Sequence, residues 1–417
     1  MLQGLGRSIS ERKKGLFPIS FKALTALCVR HPALTELQGA LYSEVMEEGS
    51  DVFYMKRAIR LAEKGRGRTA PNPMVGAVVV REGELVGAGY HHAAGQPHAE
   101  IPALQAAGKS AKGATLYTNL EPCCHTKKRT PPCTEAIIES GIVRVISAMK
   151  DPNPLVSGKG FQRLSDAGIR VEVGLLEAEA SALNAVFIKN MKTGLPFVTL
   201  KAAMTLDGRI ATASGASKWI SGETARREVD RLRAEADAVL VGIGTVLADD
   251  PMLALRHIKG RNPRRFIIDP HLKTPLDAKL VTTARSIPTV ILTTTQAAPY
   301  PIAALKAAGV IVRLIAMQDG IMPFPTILQD LSRQGVTHLL VEGGGGVNGV
   351  LLRSGCVDRV IFYISPRFLC GEDAKGVVTG KAVPRLEAAP ALEGIKVRRM
   401  GNDIRIEGRL KKKQAEI

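Results

Sequence analysis

MVGAVVVREGELVGAGYHHAAGQPHAEIPALQAAGKSAKGATLYT, residues 74–118, holds the pattern on which the fold turns. MVGAVVV and ELVGAGY are apolar runs joined at Glu82-Gly83, a pair that tolerates the positive φ of a tight turn, so they predict an antiparallel hairpin. HAEIPALQAAG follows as a helix with Gly108 at its C-cap, and ATLYT as a third strand. Further on, PPCTEAIIESG opens on proline and closes on Gly141, as a helix does. VRVISAM is then a strand, and FQRLSDAG and VEVGLL extend the alternation. Upstream, Tyr54, Ala58, Leu61 and Ala62 recur at helical spacing before the turn-rich GRGRTAPNP. A hairpin followed by alternating strands and helices predicts a three-layer α/β/α sandwich.

From Phe197 a second series begins: FVTLKAAMTLDG, DAVLVGIGTVLADDP, RRFIID, TVILTTT, HLLVEGGGG, RVIFYIS and IRIEG, interleaved with helices such as ETARREVDRLRAEA. The second half is therefore also α/β. The boundary is expected near Thr193 to Pro196, which divides the chain into an extension at 1–50, a first domain at 51–195 and a second at 196–417. A chain of 417 residues is long enough for each to bury its own core.

Residues 1–50 are biased. Arg7, Arg12, Lys13, Lys14, Lys22 and Arg30 face only Glu11 in the first thirty positions. Lys22 interrupts the apolar stretch, which argues against a secretory signal; a poorly ordered extension or an upstream start codon is expected ahead of a transit peptide. No run reaches the roughly 18 consecutive apolar residues of a membrane span. Cys123, Cys124 and Cys133 cluster while Cys28, Cys356 and Cys370 are scattered, unlike a secreted disulfide framework, so a reducing cytoplasm is expected. The formal charge of +18 favours anionic partners, either nucleic acid or phosphorylated metabolites. From Lys396 onward eight basic residues face three acidic ones, which reads as a solvated last strand with a frayed end.

The chemistry centres on His98-Ala99-Glu100 at the head of one helix and on Cys123 to Cys133 leading into the next. A catalytic zinc site takes three imidazole or thiolate ligands and keeps a position open for water, and one His with two Cys supplies three. Pro132-Cys133-Thr134 places a thiol at a helix start, where the dipole favours thiolate. Glu100, two residues beyond His98, is positioned to shuttle protons without ligating the metal. H-x-E followed by P-C-x-x-C is the signature of zinc nucleobase deaminases. His98-Ala99-Glu100 and Pro122-Cys123 match it, but ten positions separate Cys123 from Cys133 where the signature has three. Spacing alone leaves Cys123 and Cys124 open as the ligand; Cys123 is favoured because it follows Glu121-Pro122. His125 is a candidate fourth ligand, and His91 and His92 are read as pocket-lining or as satisfied polar groups at a strand end.

In the second half, Gly344, Gly346 and Gly349 form G-x-G-x-x-G between the strand HLLVE and the helix VNGVLLRSG, a setting in which backbone N–H groups can hold a pyrophosphate. A tight strand-to-helix packing turn uses the same glycines. The motif comes late in its domain, whereas a Rossmann fold carries it in the first βα turn.

TAPNPMVGAVVV, HAE, LEPCCHTKKRTPPC, DPNP, TLDGRIATASGASKWI, TVLADDP and VEGGGGVNG occur in this order, and over about residues 52–410 the chain resembles the RibD family of bifunctional riboflavin-pathway proteins. The resemblance implies a cytidine-deaminase-like domain that deaminates diaminohydroxyphosphoribosylaminopyrimidine with zinc on His98, Cys123 and Cys133 and Glu100 as catalyst. It also implies a dihydrofolate-reductase-like domain that reduces 5-amino-6-(5-phosphoribosylamino)uracil with NADPH. By family position Ala203, Trp219, Thr245, Asp249, Gly344, Gly345, Gly346, Val347, Asn348, Gly349 and Val350 line the cofactor. Ser217, Arg233, Met252, Arg256 and Glu342 contact substrate, with Lys201 and Asn72 as further candidates. Arg233 and Arg256 suit a bidentate phosphate fork. The family loop between the zinc cysteines often carries Gly before Arg/Lys-Thr-Pro-Pro-Cys and is one residue shorter; here Lys127-Lys128-Arg129 stands there.

The expected partners are small phosphoribosyl aminopyrimidines, with neither nucleic acid nor membrane; a homo-oligomer is compatible with this reading. A nucleic-acid deaminase of the tRNA type shares the zinc signature, but aromatic residues are 4% of the chain and no aromatic-basic interleaving offers a stacking surface. A non-catalytic zinc-binding regulator is the third reading, and the presence of all three ligands with Glu100 argues against it.

Overall fold

The computed structural model describes residues 49–125, 131–318, 320 and 322–411. The expectations for residues 1–48, for Lys127-Lys128-Arg129 and for Lys412 and Lys413 fall outside the described residues.

Helix α1 (Asp51–Glu63) begins where the Ser50 hydroxyl accepts the Phe53 N–H at 3.2 Å, an N-cap that satisfies one orphan donor. The hairpin of β1 (Gly76–Arg81) and β2 (Glu84–Tyr90) turns at Glu82 and Gly83, with φ of 53° and 82°. There follow α2 (Glu100–Ala107), β3 (Thr115–Thr118), α3 (Cys133–Glu139), β4 (Arg144–Ser147), α4 (Lys159–Asp166), β5 (Arg170–Val173), α5 (Glu177–Leu183) and α6 (Ala185–Thr193). The sheet order is β2-β1-β3-β4-β5, with β1 antiparallel to both neighbours and β3, β4 and β5 parallel.

Two glycines show how the layers stack. A Cβ on Gly76 would lie 2.1 Å from the Ala58 carbonyl of α1, and one on Gly87 would lie 2.2 Å from the Ala103 carbonyl of α2. Gly87 sits opposite Val79, three residues from Gly76 along β1 and hence on the other face. Helices α1 and α2 therefore cover opposite sides of the hairpin, as a three-layer sandwich requires.

The second half forms a nine-stranded sheet from β6 (Phe197–Thr205), β8 (Ala238–Gly242), β9 (Arg264–Ile268), β10 (Thr289–Thr294), β11 (Ile311–Ile315), β12 (His338–Val341), β13 (Arg359–Ser365), β15 (Leu392–Met400) and β16 (Asp403–Leu410), while β7 (Arg209–Ala211) pairs with β14 (Lys375–Gly376). Its order is β11-β10-β9-β8-β12-β6-β13-β16-β15. The first seven are parallel, and the β15–β16 hairpin adds an antiparallel edge. β8, β10 and β12 are buried along their whole length, which explains why they read as unbroken apolar runs. The helices are α7 (Glu223–Glu235), α8 (Ile243–Asp249), α9 (Lys279–Thr282), α10 (Pro299–Ala307), α11 (Phe324–Arg333) and α12 (Gly345–Arg353). The basic stretch from Lys396 belongs to the exposed edge hairpin.

The halves meet where Lys189 of α6 pairs with Asp358, whose carboxylate also accepts the Val198 N–H at 2.7 Å. Beside this junction His338 is buried, with Nε2 3.0 Å from the Thr199 hydroxyl. Burial, reinforced by Arg359, pushes its imidazole down to about 4. Because the folded value lies below the unfolded one of about 6.5, the neutral ring contributes stability above pH 6.5 that is lost as pH falls toward 4, up to roughly 3 kcal/mol. Urea midpoints are therefore expected to fall between pH 6.5 and 4, and to fall less steeply in His338→Gln.

Candidate active sites

The first site is assembled where three chain turns converge. His98 stands two residues before α2, Cys123 lies in the segment after β3, and Cys133 is the first residue of α3. Both sulfurs lie 3.4 Å from His98 Nδ1, and the three ligand atoms are all within 4.8 Å of one another. Tetrahedral zinc, with bonds of roughly 2.0–2.3 Å, sets its ligand atoms roughly 3.6–3.8 Å apart, so this donor set fits the ion in both spacing and chemistry. The Cys133 and Thr134 amides point back to the Cys123 sulfur and carbonyl at 3.4 and 3.3 Å, locking the two cysteine segments together. Of the paired cysteines, it is Cys123 whose sulfur joins the cluster; neither Cys124 nor His125 does.

Glu100 opens α2 and is only 2% exposed, so its carboxyl lies in a largely dry environment two residues from His98. The wall beside them is His91, whose ring meets that of His98 edge-on at 5.4 Å. Its Nδ1 lies 3.0 Å from the Pro97 carbonyl, which can only accept, so that nitrogen carries the proton and Nε2 accepts from Asn72 Nδ2 at 3.2 Å. Burial pushes His91 below its ordinary value and keeps it neutral in this arrangement. The Asn72 loop is held at Met74, whose N–H and carbonyl bond the side chain of Asn184 at 2.8 and 3.0 Å. His92 is exposed and stacks on Tyr90.

Sequence reasoning missed Glu121. Its buried carboxylate accepts the N–H groups of Asp151 at 3.1 Å, Gly158 at 2.8 Å and Gly160 at 2.9 Å, tying the segment before Cys123 to the DPNP loop and the start of α4. Gly160 has room for no side chain, since a Cβ would stand 2.1 Å from the Pro122 carbonyl. The only signal was an acid beside Pro-Cys. Glu121→Ala would strand these buried donors at about 1–3 kcal/mol each. Its expected result is a lowered unfolding midpoint for the first domain and loss of its activity, with the second domain's activity kept; calorimetry with separate assays checks this.

In the second half Glu342, at the end of β12, lies between two cations. Arg233 of α7 donates Nε to Oε1 at 2.6 Å and Nη2 to Oε2 at 3.0 Å, and Lys201 Nζ of β6 donates to Oε2 at 3.2 Å. Burial alone would raise this carboxyl, but Arg233 and Lys201 outweigh it and hold Glu342 at about 2. Arg233 is 7% exposed and also donates to the Ala254 carbonyl at 3.1 Å, so it belongs to the interior and not to a solvated helix face.

Ser217 donates to Asp249 Oδ1 at 2.6 Å, and Thr245, one turn earlier on α8, stands against Gly344 at the start of α12. Ala203 lies two residues beyond Lys201 on β6. Trp219 is 54% exposed beneath the Arg226 guanidinium at 4.6 Å, so it is no core anchor. The glycines divide by role. A Cβ on Gly345 or Gly349 would meet the carbonyls of Gly376 or Thr379 at 2.3 and 1.9 Å, whereas Gly346 has open space. The packing reason for glycine thus applies to two of them, and Asn348 adds a bond from Nδ2 to the Val377 carbonyl at 2.8 Å. Val347 packs over Gly242, and Val350, half-buried, packs against the second half's core. Met252 is half-buried and Arg256 exposed, on the segment after α8.

Two family models match. Residues 49–149 match the cytidine and deoxycytidylate deaminase zinc-binding region, and residues 196–406 match the RibD C-terminal domain. The chain is 45% identical over 356 residues to the riboflavin biosynthesis protein RibD of Aquifex aeolicus, spanning 85% of this chain and 97% of that protein. It is 41% identical over 368 residues to the RibD of Escherichia coli K12, spanning 85% and 98%. Among solved structures it is similar to Acinetobacter baumannii RibD (form 1), with TM-score 0.77 and 39% identity over 87% of this chain and 99% of that one. It is also similar to the Thermotoga maritima diaminohydroxyphosphoribosylaminopyrimidine deaminase/5-amino-6-(5-phosphoribosylamino)uracil reductase, with TM-score 0.75 and 36% identity over 86% and 98%.

Proposed function

The chain belongs to the RibD family of riboflavin-biosynthesis enzymes, and from that premise we propose which of its residues carry each half of a deaminase–reductase sequence. The enzyme deaminates diaminohydroxyphosphoribosylaminopyrimidine hydrolytically and then reduces the ribosyl group of the resulting 5-amino-6-(5-phosphoribosylamino)uracil to ribityl. It uses zinc for the first step and NADPH for the second. We assign the deaminase to residues 51–195 and the reductase to 196–417.

The observation that carries the first assignment is the convergence of His98 Nδ1 with the Cys123 and Cys133 sulfurs. These three residues would hold zinc, which when bound supplies a Lewis acid that makes water nucleophilic at neutral pH. Glu100 takes the proton of the attacking water and delivers it to the departing amino nitrogen. Ammonia leaves, and the ring carbon becomes a carbonyl. The neutral His91, fixed between Pro97 and Asn72, gives His98 a rigid wall.

In the reductase, NADPH supplies the hydride when bound. The start of α12 from Gly344 to Val350, together with Ala203, Trp219, Thr245 and Asp249, would line the cofactor, while Ser217, Arg233, Met252, Arg256 and Glu342 would face the substrate. Arg256, exposed at the rim, suits the substrate's phosphate. Arg233, committed to Glu342 and Ala254, suits the fixing of the pocket's shape. Lys201, beside Glu342, is placed to give the sugar oxygen a proton as its ring opens.

The anionic phosphoribosyl substrates account for the use of a strongly basic chain without nucleic acid. Among the described residues no helix is long and apolar enough to cross a membrane. The cysteine pattern, unlike a disulfide framework, supports placing the enzyme in the cytoplasm. The test of the metal assignment is Cys133→Ala: zinc measured by elemental analysis and ammonia release should both be lost, while reduction of pre-deaminated substrate continues. Full ammonia release by the zinc-free variant would contradict the assignment.

A further inference from the structure

Arg265 of β9 is completely buried, and among the described residues no carboxylate pairs with it. Its Nη1 donates to the Met252 carbonyl at 3.1 Å and the Thr283 hydroxyl at 2.9 Å; its Nη2 donates to the Leu280 and Ile287 carbonyls at 3.2 and 2.7 Å. Burying a cation among neutral acceptors is costly, and desolvation lowers this guanidinium to about 10, which still leaves it charged at neutral pH. A residue kept on such terms calls for a reason beyond filling space.

The reason lies in the segment it holds. Asp250 and Leu253 sit at φ of 39° and 52°, conformations unfavourable for residues with a Cβ, and such strain persists only where surrounding contacts over-determine it. Three buried side chains and the exposed Asn262 grip the segment in succession. Arg265 holds the Met252 carbonyl, Arg233 the Ala254 carbonyl, Asn262 the Leu255 N–H at 2.9 Å, and Asp230 the Arg256 and His257 N–H groups at 2.9 and 2.8 Å. Asp230 is 2% exposed, lies one helical turn before Arg233 and also takes His257 Nδ1 at 2.8 Å. One buried cation and one buried anion thus fix the two ends of a strained loop on which Met252 and Arg256 ride.

We propose that Arg265 and Asp230 are positioning residues for the reductase substrate: neither touches it, and together they set the path of residues 252–257 so that Arg256 meets the substrate's phosphate. The proposal rests on the assignment of this loop to the substrate side. It separates substrate from cofactor, because the α12 start and Thr245 are held by other contacts, with the 376–379 segment and Gly344.

The test uses full-length Arg265→Lys and Asp230→Asn, with Arg256→Ala as control. The measurements are steady-state reduction of the phosphorylated uracil substrate and of its dephosphorylated counterpart, and direct titration with NADPH. Both positioning variants are expected to raise KM for the phosphorylated substrate roughly tenfold or more, since small misplacements of a binding group carry large penalties. They should erode its advantage over the dephosphorylated one and leave NADPH affinity within about twofold. Parallel losses of NADPH and substrate affinity would make Arg265 and Asp230 scaffold residues and overturn the proposal, as would an unchanged phosphate preference. If Arg256→Ala itself leaves that preference intact, the substrate assignment of the loop fails, and the proposal falls with it; if Arg256→Ala abolishes it while the other two do not, only the positioning role fails.

Discussion

Glu100→Gln is expected to lower ammonia release by about 10²–10⁴-fold, the contribution typical of a positioned general acid–base, while zinc content and the reduction of pre-deaminated substrate stay unchanged. The amide keeps the size and the hydrogen-bonding reach of the acid but can neither take a proton from water nor return one to nitrogen. Glu100 belongs to the first turn of α2 and is buried, whereas the proposed metal donors are His98, Cys123 and Cys133, so on that assignment the substitution removes proton traffic without removing a ligand. Loss of zinc in this variant would show Glu100 to be part of the metal site. Retained turnover would place the proton shuttle elsewhere.

Glu342→Ala carries the other large effect. Buried Arg233 and part-buried Lys201 would be left beside each other without their shared anion, and breaking such a buried pair costs about 3–5 kcal/mol. The unfolding midpoint of the reductase should drop accordingly and its activity disappear. The deaminase core, built on a separate sheet, should keep its midpoint and its ammonia release. The same ion pairs give a pH signature. Since the folded carboxyl is held at about 2, below the ordinary value of about 4.3, its stabilisation is complete above that ordinary value and is lost as pH falls toward 2. Acid denaturation of the second domain should be shallower in the variant over that window.

What could be read from residues alone was whatever is local. Apolar runs, Glu82-Gly83, Pro-led helix starts and the His98/Glu100 pair each depend on near neighbours in sequence, and the hairpin and the sandwich follow from them. The edge hairpin was half seen, since IRIEG shows alternation but Leu392–Met400 is exposed nearly throughout and carries no buried stripe. The choice between Cys123 and Cys124 needed the third dimension, because which sulfur turns toward His98 depends on the path of the chain after β3. The bracing role of Glu121 was hidden for the same reason: its partners lie 30 to 40 positions away. In ETARREVDRLRAE the mixture of charges hides an interior face, and only packing reveals that Asp230 and Arg233 point inward. The glycines of VEGGGGVNG mislead in part, since Gly345 and Gly349 are required by the backbone of residues 376–379 whatever α12 binds.

The most direct measurement is a single reaction course: zinc-loaded enzyme with diaminohydroxyphosphoribosylaminopyrimidine, followed for ammonia and for nicotinamide absorbance, with and without NADPH. Ammonia release that needs no NADPH, and NADPH consumption that begins only after it, is the result expected of a deaminase feeding a reductase. Zinc-replete enzyme that consumes NADPH without first releasing ammonia, or that releases none, would contradict it.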